Sequence, residues 1–127
     1  MTSAELKYLL AIDALYEGAA GVKLTAIAAK MNVSKVSVYR AAERLERNGY
    51  IRRDEKNKVV IDPYGYEQLE NYRILIRWIS GHLMEKCGVP ADTAYNDAIG
   101  AACEFSDESR NAIAAFAVRR KEEANDR

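Results

Sequence analysis

Apolar positions in the first part of the chain recur at helical spacing three times over. In residues 2–17 the repeat runs through Leu6, Leu9, Leu10, Ile12, Ala14 and Tyr16. The segment opens on Thr2-Ser3-Ala4-Glu5, a spacing in which hydroxyl and carboxylate satisfy the first free amides of a helix, and Gly18 and Gly21 end it. Residues 24–31 place Leu24, Ile27, Ala28 and Met31 on one face of a second, short helix. Asn32-Val33 reads as a tight turn, because asparagine tolerates a left-handed backbone. Ser34 then caps a third helix over 35–48, whose narrow apolar stripe is Val38, Ala41, Ala42 and Leu45; Gly49 stops it.

Two β-prone runs, 50–53 and 59–61, flank the charged stretch DEKNK and predict a hairpin, with Asp62-Pro63-Tyr64-Gly65 breaking the second strand. The remainder reads as helical. Residues 66–87 carry one stripe through Leu69, Tyr72, Leu75, Ile79 and Leu83 and another through Ile74 and Trp78, so this helix needs neighbours on two sides. Pro90 suits the first turn of a fifth helix over 90–103, and Ser106 caps a sixth that ends in the polar tail RRKEEANDR, expected to fray.

Three helices with a turn between the second and third, then a basic hairpin, make a winged helix-turn-helix. The expected fold is mainly α, with a winged helix-turn-helix DNA-binding domain in 1–64 and a helical dimerisation domain in 65–127. In such an arrangement the third helix presents its first turn to base edges in the major groove. Thr25 at the start of the second helix is expected to hold a phosphate. Ser34, Lys35, Val36, Ser37, Tyr39, Arg40 and Arg44 form the recognition surface, with Arg40 suited to guanine and Val36 to a thymine methyl. Arg52, Arg53, Lys56 and Lys58 of the hairpin are expected to track the adjacent phosphate backbone or minor groove.

Charge strengthens this picture only when it is located. The 127-residue chain has 19 basic and 19 acidic residues, which on average argues against a nucleic-acid partner. Residues 30–58, however, hold nine basic residues against four acidic ones, a local surplus where a polyanion would dock. No apolar run approaches a membrane span of ~18 residues. The N-terminus has no basic flank leading into an apolar core, and two cysteines make no disulfide framework, so a reducing cytoplasm is the expected compartment. A Gly-rich phosphate loop and a nucleophile beside a histidine are both missing from the pattern, which argues against an enzyme. A winged helix used for protein docking without DNA is the alternative, separable by the salt dependence of DNA binding.

The run LTAIAAKMNVSKVSVYRAAERLERNGYI, the following VVIDPYGY and the later CGVPADTAYNDAIGAACEFSDES resemble the iron- and manganese-dependent repressors of the diphtheria-toxin-repressor type. The resemblance implies a homodimer on double-stranded DNA, joined through the helical half, with Leu75, Trp78 and Ile79 expected at the interface. It also implies a metal site, and there the sequence departs. The matching positions read Lys7, Leu10, Arg77, Ile99, Ala102 and Cys103, of which only Cys103 can ligate. No metal and no other cofactor are therefore expected. The remaining candidates for a reorganised metal or thiol site are His82, Cys87 and Cys103, which lack the usual ligand spacing.

Overall fold

A computed structural model describes residues 1–16 and 20–126; the expected glycine stop at Gly18 lies outside the described residues. Among the described residues six helices and one hairpin follow in the order α1 (Ser3–Leu15), α2 (Leu24–Met31), α3 (Lys35–Arg47), β1 (Ile51–Arg53), β2 (Val59–Ile61), α4 (Pro63–Cys87), α5 (Ala91–Glu104) and α6 (Asp107–Asn125). The chain divides into two compact units, Met1–Leu69 and Glu70–Arg127.

In the first unit the caps are the ones the sequence chemistry dictates. The Thr2 hydroxyl caps α1 by accepting from the Glu5 amide at 3.1 Å, and it donates to the Glu5 carboxylate at 3.1 Å. Asn32 ends α2 at φ +55°, with the Val33 amide donating back to Ala28. Ser34 caps α3 by accepting from the Ser37 amide, and Gly49 at φ +83° closes its far end. The Asn48 amide reaches Glu5 at 3.3 Å, tying the end of α3 to the start of α1. Leu6, Leu9, Ile12, Ile27, Val38, Leu45 and Val59 are all but fully buried and form the core of this unit.

The hairpin pairs Ile51 with Ile61, Arg52 with Val60 and Arg53 with Val59. A third segment joins it: Val22 and Val59 exchange two backbone hydrogen bonds of 2.8 Å, an isolated bridge that the hydropathy pattern does not announce. Asp62-Pro63 ends the sheet but also starts α4 three residues earlier than the expected 66. Proline suits a first helical position, where its missing N–H is no loss, and the Asp62 carboxylate accepts from the Tyr64 amide at 3.0 Å. The division between units falls inside α4, between Leu69 and Glu70.

In the second unit Arg110 is the organising side chain. It is buried, it donates to the carbonyls of Ala102 and Phe105 at the end of α5, and it pairs with Asp107. Its guanidinium lies 4.3 Å from the centre of the Tyr72 ring on α4. The polar tail stays helical to Asn125, with Glu122 and Glu123 three and four residues after Arg119. Among the described residues no helix is long and apolar enough to cross a membrane.

Candidate nucleic-acid interface

Burying Val38, Ala41, Ala42 and Leu45 fixes the rotation of α3, and everything between them is turned outward. Ser34, Lys35, Val36, Ser37, Tyr39, Arg40 and Arg44 are all exposed. Val36 is 61% and Tyr39 46% exposed, large apolar groups that an isolated water-facing helix has no use for. Lys35, Val36, Tyr39 and Arg40, with Glu43, line a shallow recess of about 430 Å³ on this outer face. Ser34 and Ser37 are engaged with each other at 2.9 Å through their hydroxyls as well as through the cap.

The first turn of α2 lies beside this face. Lys23 precedes the helix without a side-chain cap, its carbonyl accepts the Ala26 amide at 3.0 Å, and Thr25 is exposed. Between α2, α3 and the hairpin turn lies a cleft of about 360 Å³ lined by Lys23, Leu24, Thr25, Lys35, Tyr39, Lys56, Asn57 and Lys58. Four of the eight lining residues are lysines and none is acidic. Sequence reasoning missed Lys23 and Asn57. Lys23 was legible as the residue just before an uncapped helix, two positions from Thr25; the left-handed Asn57 at the turn was not, because the turn closes only in three dimensions.

That turn is built by Asp54. One carboxylate oxygen accepts the amides of both Lys56 and Lys58, each at 2.9 Å, and Asn57 takes φ +61°. Arg52 faces outward as expected. Arg53 does not: its side chain is 16% exposed, its guanidinium lies 4.8 Å from the centre of the Tyr39 ring, and its Nε sits 3.6 Å from Glu46. Side chains alternate along a strand, so Arg53 shares the inward face of Ile51, opposite Arg52. It does not stand on the outward face of the wing with Arg52.

Comparisons with known proteins fit this geometry. Residues 7–55 match the IclR helix-turn-helix domain. Among solved structures, the hypothetical protein SSo2273 from Sulfolobus solfataricus shares the fold at a TM-score of 0.72 and 21% identity, over 91% of this chain and 88% of that one. The manganese regulator SloR is similar at a TM-score of 0.74 and 23% identity, over 91% of this chain and 54% of its own. IdeR of T. acidophilum is similar at 0.64 and 23%, over 93% of this chain and 54% of its own. The chain thus spans about half the length of these two regulators. No curated protein matches it by sequence.

Five of the six positions at which the resemblance places metal ligands carry side chains that are not donors for a divalent cation, Cys103 being the sixth. Lys7 is exposed, Leu10 half-buried, and Ile99 and Ala102 are buried apolar groups. Arg77 is exposed and pairs with Glu70 at 3.2 Å. Hard divalent ions need several oxygen or imidazole donors together, and these side chains offer none. The reorganised set is not assembled either. His82 packs edge-on against Trp78 at 4.9 Å, Cys87 is exposed at the end of α4, and Cys103 is half-buried on α5. Among the described residues no three of His, Cys, Asp and Glu gather as a metal site would require.

Of the expected interface positions, Leu75 is completely buried within the chain and presents no surface to a partner. Trp78 is 37% exposed and Ile79 half-buried.

Proposed function

We propose that this chain is a cytoplasmic, homodimeric transcriptional regulator that reads double-stranded DNA without a metal effector. The observation that carries the reading is the cleft between α2, α3 and the hairpin turn, where four lysines meet with no acid among them. A phosphodiester backbone is the ligand class such a cleft suits, since neutralising phosphates releases their condensed counterions. The outward side chains of α3 lie next to it, so backbone seating and base contact fall on one face. In this reading Lys35, Lys56 and Lys58, with Lys23, hold phosphates, while Val36 and Arg40 meet base edges.

The dimer part of the reading is supported by the second unit's surface. Trp78, Met84, Tyr95, Phe105, Phe116 and Val118 are all exposed there, and Ile74, Trp78, Ala117 and Val118 border a groove of about 420 Å³ that Glu70, Arg77 and Lys121 also line. Apolar surface of this extent calls for a partner, and a second copy gives the two-fold symmetry of a palindromic site. Metal independence is supported by the donor chemistry at Lys7, Leu10, Arg77, Ile99 and Ala102.

Selection of duplexes from a random pool, with and without a chelator, tests all three parts. The expected product is a two-fold-symmetric site enriched equally in both arms. No enrichment removes the DNA reading, an asymmetric single site removes the dimer, and enrichment lost with chelator removes metal independence.

A further inference from the structure

Arg53 touches two elements at three points. Its guanidinium lies over Tyr39 and beside Glu46, seven residues apart on α3, and its Nη1 donates to the Asn57 side chain at 3.5 Å in the hairpin turn. Its Nε and Nη2 are buried with no hydrogen-bond partner. A guanidinium so placed is a poor choice for stability alone. Burial with incomplete hydrogen bonding is unfavourable, and an apolar side chain of similar volume commonly does as well or better in such a place. What the cation supplies, and an apolar group would not, is a fixed geometry: a flat charged plate against one ring, one carboxylate and one turn amide.

We propose that Arg53 is a positioning residue, locking the hairpin turn against the recognition helix so that Lys56 and Lys58 face the same run of phosphates as Lys35. The inference rests on the DNA-binding reading above. It makes the cleft a preorganised seat: Tyr39 both lines the cleft and receives the guanidinium, so moving Arg53 displaces one wall and releases the other. Asn57, the third contact, sits between the two lysines in sequence. Arg53 itself meets no phosphate.

The test is the salt dependence of binding between the full chain and a 20-base-pair duplex of arbitrary sequence, well below each variant's melting temperature. Each phosphate neutralised contributes about 0.9 to the slope of log K against log salt. Lys56→Ala with Lys58→Ala is expected to lower the slope by about 2. Arg53→Met, which keeps the apolar stem, is expected to lower it as much, and adding it to the double lysine variant should lower it no further. An unchanged slope for Arg53→Met makes the residue filler and overturns the proposal. A loss of about 1 that adds to the lysine variant makes Arg53 a direct phosphate contact and overturns it equally.

Glu46→Ala approaches the same lock from the exposed side of α3, where folding is not at stake. Removing a negative charge beside a cationic face should by itself tighten binding. The proposal requires a shallower salt slope instead, and a slope that is unchanged or steeper contradicts it. If the unmodified chain fails to bind duplex at low salt, the DNA reading fails first, and the lock has nothing to serve.

Discussion

Gly65, in the first turn of α4, packs directly on the backbone of Tyr50: a Cβ at position 65 would lie 2.9 Å from the Tyr50 carbonyl carbon and deep inside contact with its oxygen. The same carbonyl accepts the Asp62 amide at 3.0 Å, and the Tyr50 and Tyr64 rings stack at 5.7 Å. This is how the hairpin is held to the start of the long helix, through backbone that cannot swing aside.

Gly65→Ala is therefore expected to destabilise the chain. Alanine gains about 1 kcal/mol of helix propensity over glycine. Against it stands overpacking onto rigid backbone, which costs about 1–3 kcal/mol and wins where no flexible side chain can yield. Thermal unfolding checks this: the melting temperature should fall, and a rise would mean α4 is free to shift.

Asp54→Ala should loosen the hairpin turn without unfolding the protein. Two charge-assisted hydrogen bonds to the Lys56 and Lys58 amides are lost, each worth about 1.5 kcal/mol in a shielded site and less at this exposed one. Hydrogen exchange at those two amides should quicken markedly while Val59, buried in the sheet, stays protected. Unchanged exchange at Lys56 and Lys58 would mean the turn forms on backbone bonds alone.

Arg110→Met should weaken the second unit more than any change at its carboxylate partner. The substitution leaves the carbonyls of Ala102 and Phe105 without their donor, at about 1–3 kcal/mol for each acceptor that stays buried. Asp107 is largely exposed, so Asp107→Asn should cost only about 0–1 kcal/mol. Denaturant titration of the two variants gives the ordering, and equal losses would contradict it.

Much of this architecture is readable from residue pattern because its signals are local. Thr2 with Glu5, Ser34 with Ser37, Asn32 and Gly49 each mark a helix end by their own chemistry, and the α3 stripe alone decides which side faces out. The misreadings share a different cause. Charge alone turns Arg53 outward, whereas alternation with Arg52 and Ile51 turns it inward. Leu75 is buried within the chain, and because α4 is apolar around much of its circumference, periodicity cannot rank its stripes by depth. Val22 pairs through a single residue, too short a run to register as a strand. Pro63 reads as a breaker or as a first helical residue, and only the Asp62 carboxylate on the Tyr64 amide decides between them.

The claim on which the account turns is that the face of α3 and its lysine cleft bind duplex DNA. Equilibrium binding of the full chain to a selected duplex, with chelator present and salt varied, measures it most directly, with Arg40→Ala as comparison. The account predicts affinity falling linearly in log K against log salt by several units of slope, and a loss of about 1–3 kcal/mol for Arg40→Ala on that duplex alone. Affinity that ignores salt, or an Arg40→Ala variant indistinguishable from the unmodified chain on its selected site, would contradict it.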